Sequence, residues 1–173
     1  NSKTSYIQRM LDTFQLQVLM LQETHGRLAD LSERTRNNLQ FKACGTFCTP
    51  CVDSNGALGG GGVITFYPKV WNDRFSCSEK TIIDGRVLAL RVSDGNYAVQ
   101  FLNVHLHPDW SGHELTGKLQ RIQKYMADFP SDVFLFGGDF NFVYDHEGRL
   151  DLDTGSLKIK SSQEADKFTN MFP

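Results

Sequence analysis

An unbroken apolar run, Val133-Phe134-Leu135-Phe136, ends in two glycines, a carboxylate and an amide: Gly137-Gly138-Asp139-Phe140-Asn141. Four β-forming residues bounded by turn signals predict a strand over 133–136. The absence of polar alternation predicts that both of its faces are buried, as in α/β sheets, which carry their sites at the C-terminal ends of strands. Gly137 and Gly138 would let the backbone turn sharply or approach a ligand closely. Asp139 and Asn141 share one face if the chain stays extended. Together they offer an anionic acceptor and an amide that both donates and accepts, a pair suited to holding a water or a phosphate oxygen. The same residues would also serve as an ordinary tight turn.

The chain has 173 residues, 40% hydrophobic and 12% aromatic, which fits a single domain over 1–173 with a substantial core. A formal charge of −2 gives no global basic signature, so phosphate binding would have to be local or metal-mediated. No apolar run reaches the roughly 18 residues of a membrane span, and no signal peptide is evident, which leads to an intracellular expectation, compartment unspecified. Cys44, Cys48, Cys51 and Cys77 match no standard zinc spacing. The first three are placed in a Gly/Thr/Pro-rich loop and read as free thiols ahead of a disulfide or a metal site.

Taken in order, Thr4 to Phe14 sets Tyr6, Ile7, Met10, Leu11 and Phe14 on one helical face. Leu16 to Leu21 reads as a short buried strand ending at Gln22-Glu23-Thr24-His25. A carboxylate at the end of a buried strand is costly unless paired or bound to a cation, which singles out Glu23. Leu28 to Leu39 reads as an exposed helix, and Gly59 to Gly62 as a flexible loop entering a strand at Val63-Ile-Thr-Phe-Tyr67. Ile82 to Val92 and Tyr97 to Val104 read as two strands joined in a hairpin by Ser93-Asp94-Gly95-Asn96. Arg86, within the first of them, reads as a surface ion pair. The second runs into Asn103-Val-His105-Leu-His107-Pro108, which places His105 at a strand end and His107 in a surface loop, like His113. Glu114 to Phe129 has helical spacing and a proline stop. The acidic stretch through Asp145, Glu147, Asp151 and Asp153 reads as a solvated loop, and Gln163 to Phe172 as a last helix.

Gly-Gly-Asp139-Phe-Asn141 resembles the central motif of the endonuclease/exonuclease/phosphatase superfamily, the fold of pancreatic-type deoxyribonuclease. Three further blocks follow that family's order: Gln-Glu23-Thr, Gly-Val63-Ile-Thr-Phe and Asn-Val-His105-Leu. Gln-Glu-Thr-His is similar to endonucleases of non-LTR retroelements, whereas Asn-Val-His-Leu is similar to deadenylases and sphingomyelinases, so the substrate class stays open. The resemblance implies a four-layer α/β/β/α sandwich of two packed mixed sheets, lacking terminal strands, in which Glu23, His105, Asp139 and Asn141 converge. It implies metal-dependent phosphodiester hydrolysis of DNA or RNA: Glu23 holds Mg²⁺ or Mn²⁺, Asp139 acts on the attacking water, Asn141 holds that water or a phosphate oxygen, and His105 donates to the phosphoryl group. The family's opening asparagine strand and closing Asp-His block have no counterpart between Asn1 and Pro173, so the chain is expected to be part of a longer polypeptide and, alone, not to turn over. The alternative is a catalytically inactive remnant acting as a structural or interaction subunit among other protein chains.

Overall fold

The computed structural model describes residues 2–24, 40–46, 61–107, 110, 112–141, 149–150, 157–158 and 163–172. They fall into two compact units, Asn1–His105 with Ser131–Asp139, and Leu106–Pro130 with Phe140–Pro173.

The first unit opens with helix α1 (Ser2–Thr13) and strand β1 (Leu19–Leu21), followed by β2 (Phe41–Thr46) and β3 (Val63–Pro68). These strands form an antiparallel sheet in the order β1-β3-β2. A one-turn helix, α2 (Trp71–Arg74), leads to β4 (Ser76–Ile83), β5 (Val87–Ser93) and β6 (Ala98–His105), and β7 (Val133–Asp139) completes a second sheet in the order β4-β5-β6-β7. β6 and β7 run parallel, which requires a crossover between them. The observed class is therefore the expected α/β sandwich of two sheets.

β3 is buried at all six positions because both of its faces are covered. Ile64 and Phe66 meet Leu11, Ile7 and Met10 of α1, with Leu19 beside them. Val63 and Tyr67 point the other way, toward Leu88 and Leu90 of the second sheet, with Cys44 between. Each such side chain contributes about 1.5–3 kcal/mol on leaving water. The stripe read along α1 holds for Ile7, Met10 and Leu11 but not for its ends: Tyr6 is 64% exposed and Phe14 67%.

Four further readings are corrected. Cys44 lies in β2, not in a loop, and is fully buried, donating from Sγ to Thr65 O at 3.6 Å. The stretch Ile82–Val92 is not one strand, because Asp84-Gly85-Arg86 forms a turn that folds β4 back onto β5, with Gly85 at φ 63°. β7 is only half buried, with Leu135 46% exposed. Among the described residues its one ladder partner is β6. β7 also continues through both glycines to Asp139. Gly138 is needed for contact within the protein: at φ 141°, a Cβ there would overlap the Val104 carbonyl of β6.

In the second unit, α3 (Gly112–Asp128) buries Leu115, Leu119, Ile122 and Tyr125, as its spacing predicts, while Phe129 just beyond it is 47% exposed. His113 is exposed in the first turn of α3, not in a loop, and the His107 ring lies 6.1 Å from that of Trp110. The short strands β8 (Arg149–Leu150) and β9 (Leu157–Lys158) pair with each other, and helix α4 (Gln163–Met171) realises the last predicted helix. Phe168 of α4 stacks edge-on against Phe140, centroids 5.1 Å apart. The helix expected over 28–39, Cys48, Cys51, His25 and the acidic stretch lie outside the described residues.

Candidate active site

β6 and β7 are in register, with Asn103 opposite Gly137 and His105 opposite Asp139, so the last residues of two parallel strands present His105 and Asp139 side by side. Opposed residues of neighbouring strands project to the same face. Asn103 and His105 share a face of β6 by the two-residue period of a strand. Glu23 arrives from the other sheet, two residues past the end of β1.

Asn103 fixes that approach. It is fully buried, and its Nδ2 lies within donating distance of Ile64 O (3.0 Å), Thr65 Oγ1 (3.2 Å) and Leu21 O (3.3 Å). Its Oδ1 accepts from Gln22 Nε2 at 2.7 Å. One amide thus ties β6 to β1 and β3 and holds the residue before Glu23. The main chain is pinned as well: Thr24 N donates to Gly62 O at 3.2 Å, and Gly62 N to Gly85 O at 2.9 Å. Glu23 itself has φ 50°, a conformation few residues other than glycine adopt. Strain of this kind persists only where the surroundings over-determine the backbone, and it gathers at functional sites.

His105 is 2% exposed, and its Nε2 stands 3.6 Å from Glu23 Oε1, whereas the Glu23 side chain is 64% exposed. Arg86, expected on the surface, is buried instead, with Nη1 3.0 Å from Nδ1 and 3.4 Å from Nε2 of His105. Its carbonyl accepts from His105 N at 2.8 Å.

The four residues singled out in the sequence therefore divide. Glu23, His105 and Asp139 belong to the first unit, where His105 meets Glu23 by contact and Asp139 by register. Asn141 belongs to the second, where its Nδ2 donates to Leu106 O at 2.6 Å. With φ 53°, Asn141 has left the extended path, so it does not continue the alternation of β7 beyond Asp139. Sequence reasoning read Arg86 as a surface ion pair and passed over the roles of Gln22 and Asn103. The two-residue spacing of Asn103 and His105 carried a signal for the last; nothing in a Gly-Arg pair by itself indicates a buried guanidinium.

No group of three His, Cys, Asp or Glu side chains able to cage a metal occurs among the described residues. The donor set still fits a hard cation of the magnesium type, which keeps several waters and takes one or two protein carboxylates together with substrate phosphates. Glu23 offers an exposed carboxylate on a pinned backbone.

Solved structures share the fold. The endonuclease domain of TRAS1, a telomere-specific non-LTR retrotransposon, superposes with a TM-score of 0.62 at 10% identity, over 97% of this chain and 62% of that one. An AP endonuclease from Archaeoglobus fulgidus gives 0.61 at 14% identity, over 98% and 65%. A truncated TDP2 from Caenorhabditis elegans gives 0.52 at 18% identity, over 91% and 58%. The chain thus spans less than two thirds of the length of each of these proteins. No functionally curated protein matches it. Residues 1–171 match the sequence profile of the Endonuclease/Exonuclease/phosphatase family, and the chain belongs to that family.

Proposed function

We propose that the intact protein carrying this chain, and not the chain alone, hydrolyses phosphodiester bonds in nucleic acid with the help of a divalent metal. What supports this reading is that His105 lies 3.6 Å from Glu23 of the other sheet and opposite Asp139 in the β6–β7 register, in a chain of the Endonuclease/Exonuclease/phosphatase family. The endonucleases among the similar structures favour a nucleic-acid substrate.

Glu23 is the residue that would hold Mg²⁺ or Mn²⁺, which when bound supplies positive charge to the phosphate oxygens. Asp139, the exposed last residue of β7, takes the proton of the attacking water. Its register partner His105 donates from Nε2 to a phosphoryl oxygen, and burial of the imidazole in a low-dielectric wall strengthens that bond. Asn141, in the second unit with its amide on Leu106 O, is assigned no step. Gln22 and Asn103 take no part in the reaction; they keep Glu23 in place.

The test is cleavage of end-labelled single- and double-stranded DNA and RNA oligonucleotides with Mg²⁺, with Mn²⁺ and with chelator. Metal-dependent cleavage lost in Glu23→Gln is expected. Absence of cleavage under every metal condition, by the folded intact protein, would leave the remnant reading in its place. Weak metal binding is expected without nucleic acid, because one carboxylate and waters make a poor cage; tight calorimetric binding that persists in Glu23→Gln would contradict the assignment of Glu23.

A further inference from the structure

A cleft of about 290 Å³ opens between α2 and the tip of the β5–β6 hairpin, and four aromatic side chains line it: Trp71, Phe75, Tyr97 and Phe101. It is remote from the candidate active site, because His105 lies six residues further along β6 than Val99 of the cleft wall, about 20 Å of strand. The floor is fixed. Trp71 and Phe101 pack on the core formed by Tyr67, Leu88 and Leu90, and the Trp71 ring lies 6.0 Å from that of Phe101 and 6.2 Å from that of Tyr67. Phe75 meets Trp71 edge-on, centroids 6.5 Å apart at 86°, so these two rings form walls at right angles. Phe75 and Tyr97 are nonetheless exposed, although burial would stabilise rings of this size.

The rim is anionic. Asp94 borders the cleft, and its Oδ1 accepts from Tyr97 N at 2.8 Å and Asn96 N at 2.9 Å. These two bonds hold the carboxyl below the usual carboxylate range, so it stays charged at neutral pH. A second carboxylate flanks Tyr97 on its other side, where Asp132 Oδ2 accepts from Ala98 N at 2.7 Å. Among the described residues that line the cleft none is basic. An anion would therefore meet both a carboxylate and the negative faces of the rings. A bare metal ion could make no use of aromatic walls, and a primary ammonium keeps too much of its hydration to enter them. A methylated ammonium differs: it spreads its charge over an apolar surface, and both ring faces and a carboxylate attract it.

We propose that this cleft binds a quaternary ammonium group, with the aromatic side chains around its methyl groups and Asp94 as the counter-charge. The volume lies at the lower end of small-molecule sites, which suits a compact head group on a stem that leaves through the open side. A choline-type small molecule and a trimethylated lysine side chain both present such a group.

The experiment follows the indole ¹H–¹⁵N signal of Trp71, identified as the one that remains in Trp110→Phe. Three probes are titrated: choline, the acetylated amide of trimethyllysine, and 3,3-dimethylbutanol, which has the shape of choline without its charge. At least one cation should move the signal with Kd on the order of 1 mM, and the uncharged analogue should bind about 10-fold more weakly. The tighter of the two cations then names the source. No shift with either cation, or equal binding of choline and its analogue, would overturn the proposal. Asp94→Asn keeps the oxygen that caps the turn and removes the charge, so it should weaken the cation by about 3- to 10-fold and leave the analogue unchanged; undiminished cation binding there would remove the counter-charge and overturn the proposal. Tyr97→Leu, an exposed position in the hairpin that preserves apolar bulk, should likewise weaken the cation alone. An equal loss for cation and analogue would show that the cleft recognises shape and not charge.

Discussion

Replacing Asn103 with alanine tests the architecture of the site where it is most exacting. The side chain is fully buried and serves three acceptors with two N–H groups, while its oxygen takes the Gln22 amide. Of the partners released, Ile64 O and Leu21 O are main-chain groups at the seam between the sheets, whereas Gln22, half buried, can turn to water. A buried polar group left without a partner costs about 1–3 kcal/mol, so two carbonyls and the small cavity give about 2–5 kcal/mol. In urea, with a slope of about 2 kcal/mol per molar, the unfolding midpoint should fall by roughly 1–2.5 M at unchanged slope. Gln22→Ala should lose less than about 1 kcal/mol, since it leaves Asn103 its seam partners. A midpoint shift below about 0.5 M for Asn103→Ala, on the same slope, would refute the claim that this amide joins the two sheets.

Burial drives the Cys44 thiol from its ordinary 9.0 to about 12, with Glu79 nearby pushing the same way. The folded chain therefore keeps a proton that the unfolded chain releases: this contribution is whole below about pH 9 and is lost as pH rises toward 12, by at most about 1.4 kcal/mol per unit. Urea titrations at stepped alkaline pH should show the wild type losing stability more steeply than Cys44→Ala, and parallel curves would contradict the burial of the thiol. Gly138→Ala should cost about 3 kcal/mol or more, because the added Cβ meets main-chain atoms of Val104 at a φ hostile to alanine. Gly137→Ala meets the side-chain Met20 Sδ at 2.8 Å and should cost less than about 1.5 kcal/mol; equal melting temperatures for the two variants would show that β7 does not approach β6 as described.

The strand-end residues were legible because burial and polarity conflict along the chain: Glu23, His105 and Asp139 each follow an apolar run, and each lies at or just past the end of a strand. The β5–β6 hairpin was equally plain from its Asp94-Gly95 turn. The β4–β5 hairpin was missed although Asp84-Gly85 carries the same signal, because apolar residues on both sides made Ile82 to Val92 look continuous. Glycines 137 and 138 look the same whether a ligand or a neighbouring strand demands them, and only the position of Val104 decides. Arg86 was illegible for a related reason: which side chains share a face across β5 and β6 depends on a register that no local pattern states.

The central claim, that Asp139 takes a proton from water in phosphodiester cleavage, is tested most directly by Asp139→Asn. The change keeps size and shape but removes the charge that accepts the proton, so the loss falls on kcat with KM little altered. A general base supplies about 10² to 10⁴ in rate, and the variant should retain at most about one per cent of wild-type cleavage with Mg²⁺. If Asp139 only shaped the chain at the end of β7, asparagine would serve as well, since both residues suit turns. Near-normal turnover by Asp139→Asn at an unchanged melting temperature would contradict the account.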